Sequence, residues 1–439
     1  MFENPNMIVL FSVLGLLTML AIGIPIYASL AIAAFWGNYA LSGSRVAFGL
    51  IGDMPYGLTA EYLFIVIPLF VFMGHIAFNA GITEKAFSVA RKWFSRFPGG
   101  LAVATIAACG AMGAACGSSV AASATMGRVA LPEMLKSGYD RALACGCVAA
   151  GGLLAIIIPP SVVLVIYAVI TDNSVGACLI GGLIPGIIST IVFMTGISLL
   201  FRKDSKMAPT CSSYSWKERI IAIKDIWEVV ILFTIVIGGM YAGLFTPTEA
   251  AAGGAFGAFL MLAARVKGKR ILSALYESFG ETIKTTVFIF MIIVCAGMYS
   301  NFLVRAGVGA SLSEWIVALD IAPALVLLLV LAMYIPLGCF LDPTSCMLIT
   351  LPIIYPLIVN HLHYDPIWFG ILVTKMIEIG LITPPVGLNV YTIAGVAPDI
   401  PLVEVFRGAS WFIAFEFVTI AILIFVPELT TWLPAMLIN

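Results

Sequence analysis

Between Trp368 and Val396 the chain reads as a membrane-spanning helix interrupted by Gly380-Leu381-Ile382-Thr383-Pro384-Pro385-Val386-Gly387-Leu388-Asn389. Two consecutive prolines remove two backbone donors, and Pro384 also drives Thr383 out of the helical region. In hydrocarbon the freed carbonyls cannot stay unpaired, so such a break survives only where protein buries it or where it lines a wet site. There, unwound carbonyls can hold a cation and a half-helix N-terminus can face an anion. A proline kink that holds nothing is the alternative, and one Pro-Pro pair does not separate the two.

The chain contains a second copy of the break, Ile156-Ile157-Ile158-Pro159-Pro160-Ser161. Upstream of each lies a short polar sequence in apolar surroundings: Gly117-Ser118-Ser119-Val120, and Leu341-Asp342-Pro343-Thr344-Ser345. Ser119 precedes Pro159 by 40 residues and Thr344 precedes Pro384 by 40, so one offset of 225 relates both features. Weaker echoes pair Asn79-Ala80-Gly81-Ile82 with Arg305-Ala306-Gly307-Val308, and Ile24-Pro25 with Thr246-Pro247. Matched, interrupted apolar segments in two halves of one chain point to a repeat-built transporter with its site at the repeat interface.

Composition sets the class. The 439 residues are 62% hydrophobic and 10% charged, with mean hydropathy +1.10, far too apolar for a soluble domain; the chain is an all-α polytopic membrane protein in contact with lipid. The net charge of −1 says nothing about nucleic acid, but the Lys and Arg residues form no binding face, so no nucleic-acid partner is expected. The nine cysteines lack zinc or redox spacing, and His75, His361 and His363 are too scattered for a metal site. No organic cofactor is expected. Met1 to Asn6 carries no positive side chain and the apolar run from Met7 is too long for a cleavable signal.

Read in order, the first repeat is expected over 1–201, with scaffold helices in 7–80, a hairpin at 100–134 and a broken helix at 141–171. Met7 to Phe35 is its first span, Gly37 to Thr59 a Gly-rich connection, and Thr83 to Phe97 a basic amphipathic surface segment. The arms on either side of Ser118-Ser119 are each about fifteen residues, short of the roughly twenty that span a bilayer, so a re-entrant hairpin is expected. A polar cytoplasmic loop, 202–225, separates the halves, and an extra scaffold helix follows at 226–243. The second repeat, 244–439, holds a hairpin at 322–359 and the broken helix at 367–396. Thr246-Pro247-Thr248-Glu249 starts one of its helices, with Thr248 as the expected cap.

Charge fixes the expected orientation. With the N-terminus inside, the cytoplasmic loops hold seventeen Lys and Arg residues between Lys85 and Arg407, against Arg45 and Arg305 outside. The first hairpin then enters from the cytoplasm and the second from outside, so the repeats are inverted and the C-terminus lies outside.

These residues resemble a known family, the large membrane subunit of tripartite ATP-independent periplasmic (TRAP) transporters. The likeness runs along essentially the whole chain. It rests on Gly117-Ser118-Ser119-Val120 through Leu131-Pro132-Glu133-Met134, Ile158-Pro159-Pro160-Ser161, Phe245-Thr246-Pro247-Thr248-Glu249-Ala250-Ala251, Phe340-Leu341-Asp342 and the Gly380 to Asn389 stretch. The resemblance implies an elevator-type, sodium-coupled importer of organic acid anions, of the carboxylate or sulfonate class, in the bacterial inner membrane. It also implies a periplasmic substrate-binding protein and a small four-helix membrane subunit, here expected as a separate chain.

Sodium wants several oxygens, and the expected set is Gly117, Ser119, Ile158, Asp342, Thr344 and Thr383, through carbonyls, hydroxyls and one carboxylate. Helix packing is the competing reading for the hydroxyls. Asp342 can ligate sodium or cap the helix near Thr344. Substrate contacts are expected from Ser118, Ser119, Pro160, Ser161, Thr344, Ser345, Pro385 and Asn389, with Ser161 and Asn389 just past each break. Arg128 is expected to reach the cytoplasmic interface, Glu249 to cap a helix, and Lys375 with Glu378 to form a satisfied intramembrane pair. An intramembrane enzyme would need a catalytic set, and Asp342 has no aspartate partner. A sodium-coupled anion transporter working without a binding protein, or an ion antiporter, stays open, and the sequence does not identify the organic acid.

Overall fold

The computed structural model describes residues 5–203, 214–318 and 321–436; residues 204–213 of the polar loop lie outside the described residues. Every element among the described residues is a helix.

The first apolar run departs from the expected single span. It folds as α1 (Pro5–Ala21) and α2 (Ile26–Ser42), turning back at Gly23, whose φ of 89° favours glycine, and at Pro25, which cannot continue a helix. The Ser12 hydroxyl donates to the Ala33 carbonyl at 3.3 Å, so the two helices lie side by side as a hairpin. After α3 (Ser44–Thr59), a turn at Tyr62–Ile65 leads into α4 (Val66–Asn79) and the amphipathic α5 (Ile82–Phe94).

The long α17 (Lys269–Arg305) serves as a ruler of depth. Along α2, Tyr27 meets Phe288 and Gly37 meets Phe302, so α2 runs parallel to α17. From the Tyr62–Ile65 turn along α4, Phe64 meets Phe290, Phe72 meets Phe279, and the Asn79 amide reaches Ser278, so α4 runs antiparallel. The Pro5 end of α1 therefore lies level with Arg305, at the opposite end of the molecule from Lys85, Arg91, Lys92 and Arg96. That corrects the expectation that the N-terminus shares a side with the basic loops; the Gly23–Pro25 turn adds a pass.

The first repeat continues with α6 (Gly100–Cys116) and α7 (Ser119–Lys136), then α8 (Arg141–Gly151), α9 (Leu154–Ile157) and α10 (Val162–Ile170). The α8–α9 stretch and α10 form one span bent by 43° at Pro159-Pro160. α11 (Val175–Gly181) and α12 (Leu183–Lys203) complete the repeat. Beyond residue 213, α13 (Trp216–Ile223) docks on α5: Arg219 is buried and donates to the Ser95 hydroxyl, and the Trp93 indole donates to the Arg219 carbonyl. Ser215 caps α13, and its amide and hydroxyl hold the exposed Glu218 carboxyl below its ordinary pKa.

The extra pass is α14 (Trp227–Phe233), a π-helical stretch at Thr234–Gly238, and α15 (Gly239–Tyr241). The next helix, α16 (Pro247–Arg265), is capped by Thr246 rather than Thr248. With Pro247 at the first helical position, Thr246 sits three residues before Glu249 and completes a reciprocal capping box with it. α18 (Val308–Ala318) leads to the second hairpin, α19 (Pro323–Phe340) and α20 (Pro343–Tyr355). Then come α21 (Pro366–Gly380) and α22 (Leu388–Val396), the two halves of the broken span, followed by α23 (Leu402–Phe425) and α24 (Glu428–Ala435).

α23 packs on α8 at Gly408 and Gly146, so closely that a Cβ on Gly408 would stand 1.7 Å from the Ala142 carbonyl oxygen. Small residues allow this backbone approach where no hydrophobic drive distinguishes helix from lipid. Glu228 of α14 is buried against Arg265 of α16 and Lys85 of α5, which ties the scaffold helices together at the basic end.

Candidate functional site

Each hairpin tip rests on the break of its own repeat. Gly117 closes the first tip with φ 63°, and a Cβ there would stand 2.8 Å from the Pro160 carbonyl oxygen. Pro160 lies 19 residues from the Arg141 end and 10 from the Ile170 end of its span, so the tip stops inside the span, as a re-entrant hairpin does. At the second tip the Cys339 thiol points at the Pro384 carbonyl, 3.6 Å away, and Gly338 packs backbone to backbone on Gly380. Both Pro-Pro bonds, Pro159-Pro160 and Pro384-Pro385, are cis.

The repeats also meet crosswise. The returning arm of the first hairpin packs on the second half of the other repeat's broken span, with Gly127 against Ile393 and Val396. The returning arm of the second hairpin packs on α10, where Tyr355 stands edge-on to Tyr167 and accepts a hydrogen bond from the Asn173 amide at 3.0 Å. At the centre, the Ala149 carbonyl accepts from the Ser123 hydroxyl at 3.3 Å and from the Asn389 amide at 3.1 Å. Three elements from both repeats converge there: α7, α8 and α22.

The individual side chains are mostly engaged by the breaks themselves. Ser118 caps α7 by accepting from the Ala121 amide, and Ser119 behind it is buried. Gly152 faces the Ser119 carbonyl, 2.8 Å from where its Cβ would sit. Ile158 is extended (φ −76°, ψ 121°) at the end of α9. Ser161 is fully buried and caps α10 through the Leu164 amide at 3.2 Å.

Asp342 caps α20. Its carboxylate accepts from the Thr344 and Ser345 amides at 3.0 and 3.2 Å, and from the Ser345 hydroxyl. Thr344 and Ser345 are buried. The Thr383 hydroxyl donates to the Ile379 carbonyl at 2.6 Å, and its own carbonyl faces Gly387, which has φ 64°. Pro384 and Pro385 are exposed, whereas Pro159 and Pro160 are buried. The first break is thus enclosed by protein and the second is open on one side.

The donor set fits a hard monovalent cation: carbonyls freed at the breaks, hydroxyls, and one carboxylate with lone pairs to spare beyond its caps. Among the described residues no cluster of three His, Cys, Asp or Glu exists that would suit a transition metal. Arg128 is exposed, and Glu133 pairs with Arg91 of α5 at 2.7 Å.

One residue escaped the sequence reading. Glu416, on α23, is fully buried and joins Lys375 at 2.8 Å, making a triad of the expected Lys375–Glu378 pair. Its signal was present, since a lone carboxylate inside an apolar helix is a functional candidate by default.

Comparison with known proteins places the chain among transporters. The family profile described as "Tripartite ATP-independent periplasmic transporter, DctM component" matches residues 13–429. The chain is 30% identical to the C4-dicarboxylate TRAP transporter large permease protein DctM of Vibrio cholerae, over 96% of each chain. It is 35% identical to the protein of the same name in Pseudomonas aeruginosa, over 85% of this chain and 86% of that one, and 28% identical to the V. cholerae sialic acid TRAP transporter large permease protein SiaM, over 98% and 99%. In fold it is similar to the YdaH transporter of Alcanivorax borkumensis (TM-score 0.59, 13% identity, 88% of this chain and 90% of that one).

Proposed function

The chain belongs to the DctM component family of the tripartite ATP-independent periplasmic transporters, and from that premise we propose that it imports a small organic acid anion with sodium as the coupling ion. As a member it is a secondary transporter of organic acids in the inner membrane, not an enzyme. The relatives are named for C4-dicarboxylates, sialic acid and isethionate, so carboxylates and sulfonates are the substrate class to test.

The observation that supports the reading is the crosswise meeting of the first hairpin's returning arm with both broken spans at the Ala149 carbonyl. In this reading Gly117, Ser119, Ile158, Asp342, Thr344 and Thr383 are the sodium donors. Ser118, Ser119, Pro160, Ser161, Thr344, Ser345, Pro385 and Asn389 border the substrate. Freed backbone oxygens suit a cation and half-helix starts suit an anion, the two charges of a symported pair. The basic end is the cytoplasmic face by the positive-inside rule, which puts the Pro5 and Phe425 ends on the periplasmic side. A small membrane subunit and a periplasmic binding protein complete the transporter. One relative, the isethionate permease protein DctMQ of Oleidesulfovibrio alaskensis, is longer, and this chain covers 59% of it.

The test is uptake by proteoliposomes. With the small subunit present and a binding protein supplied outside, an inward sodium gradient should drive accumulation of a labelled dicarboxylate, sialic acid or sulfonate. Full uptake by this chain alone would rule out the partner requirement, and uptake unchanged on removing sodium would sink the coupling.

A further inference from the structure

Lys375 and Glu378 in the last turns of α21, and Glu416 on α23, form a closed group in the middle of the molecule. The Lys375 ammonium donates to Glu378 at 2.5 Å and to Glu416 at 2.8 Å, and all three side chains are fully buried. Each carboxyl group has one oxygen in this contact and one without any: Glu378 Oε1 and Glu416 Oε2 have no hydrogen-bond partner.

The charges do not balance. One ammonium faces two carboxylates, leaving a net negative charge in a dry interior where uncompensated charge is expensive. Among the described residues no other ionised group pairs with it. Around the triad, α9, α10, α11, α19 and α22 carry no Asp, Glu, Lys or Arg. Among the described side chains, Asp342, Arg141, Arg202, Glu404, Arg407 and Glu428 lie on or beside elements packed against α21 or α23, but none pairs with the triad. Two orphaned oxygens are also too few for a hard metal ion, which takes about six.

We propose that Lys375, Glu378 and Glu416 form a proton-binding site that holds one proton on the carboxyl pair at neutral pH. One protonated carboxyl makes the triad neutral, and its new O–H supplies a donor where an unpartnered oxygen now stands. The two glutamates titrate as one unit, so the proton belongs to the pair. The site adjoins the second break, because the Glu378 carbonyl accepts from the Leu381 amide at 3.1 Å where α21 ends. Gaining or losing this proton therefore changes the charge one turn from the unwound Thr383–Pro385 segment. The proposal stands independently of sodium coupling.

Infrared spectroscopy of the full chain in lipid nanodiscs at neutral pH tests it, in an Asp342→Asn background so that Asp342 does not contribute. The carbonyl stretch of a protonated carboxyl should be present. It should vanish completely in both Glu378→Gln and Glu416→Gln, because either change leaves one carboxylate against one ammonium. Glutamine has the shape of the neutral acid, so both variants should keep the parent melting temperature. A missing band in the parent protein, or a band that survives both substitutions, overturns the proposal. So does stabilisation by added sodium that Glu416→Gln abolishes, which would make the occupant a cation.

Discussion

The Asn389 side-chain amide donates to the backbone carbonyl of Ala149, 3.1 Å away across 240 positions of sequence. This bond joins the second half of one repeat's broken span to the first half of the other's, and Ser123 donates to the same carbonyl. The geometry gives Asn389 a structural task beside any contact with substrate. Its amide is spent on Ala149, while its buried Oδ1 has no partner in the protein.

Asn389→Ala should therefore act on stability as well as transport. It removes one of two donors to a buried carbonyl that keeps the Ser123 hydroxyl, a loss of about 0.5–1.5 kcal/mol. The expected result is a melting temperature several degrees lower in detergent, with uptake reduced. Asn389→Asp should be worse, because it buries a carboxylate facing a carbonyl oxygen. A normal melting temperature in Asn389→Ala would show that the bond contributes nothing to joining the repeats.

A second prediction follows from the α8–α23 contact. A Cβ at Gly408 would lie 1.7 Å from the Ala142 oxygen, and one at Gly146 would lie 2.1 Å from the Gly408 carbonyl carbon. Both obstacles are backbone, so no rotamer change relieves them. Gly408→Ala should cost about 3 kcal/mol or more and reduce folded protein sharply, whereas Gly395→Ala, with nothing within 4 Å, should be tolerated. Size-exclusion profiles of the two variants compare them directly.

The breaks and hairpins were legible because proline and clustered hydroxyls interrupt apolar runs, and the period of 225 exposes the repeat. The α1–α2 hairpin was not. Ile22 to Pro25 is a turn of four residues inside a continuous apolar run, too short to lower the local hydropathy. Ile24-Pro25 was visible only as an echo of Thr246-Pro247. Glu416 was missed for a different reason: it meets Lys375 from 41 residues away, and only the antiparallel packing of α21 on α23 brings them together, as when the Trp368 indole donates to the Leu423 carbonyl. The capping of Asp342 lay in its own local sequence, where it precedes Pro343 and Ser345 at cap spacing. Whether it also holds sodium is a question of ligand, which no local pattern answers.

That question has a kinetic answer. If Ser119 and Thr344 hold sodium, Ser119→Ala and Thr344→Ala should each raise the sodium concentration for half-maximal uptake about tenfold, while folded protein stays near the parent level. Ser345→Ala is the contrast, because its hydroxyl donates to Asp342; it should lower stability more than sodium dependence. Equal sodium curves for all three variants and the parent protein would remove the tips from the cation site.

The last prediction concerns motion. Gly127 on the first hairpin packs on Val396 beyond the second break, and the Gly127 Cβ position lies 3.6 Å from the Val396 Cβ. This is disulfide distance, so Gly127→Cys with Val396→Cys can be joined by oxidation. Across the other boundary, the Gly309 Cβ position in α18 lies 3.9 Å from the Ile353 Cα in α20, so a short reducible thiol crosslinker between Gly309→Cys and Ile353→Cys can join the second hairpin to its surroundings. In an elevator the hairpins and broken spans travel as one block against a static scaffold, with no rearrangement inside the block. The first crosslink should then leave uptake intact, while the second should arrest it until reduced. A rocker-switch opens the site by parting the two repeats, and it requires the reverse for Gly127 and Val396. Arrest by the Gly127–Val396 crosslink, released by reductant, would establish that the repeats separate during transport and that the elevator reading is wrong.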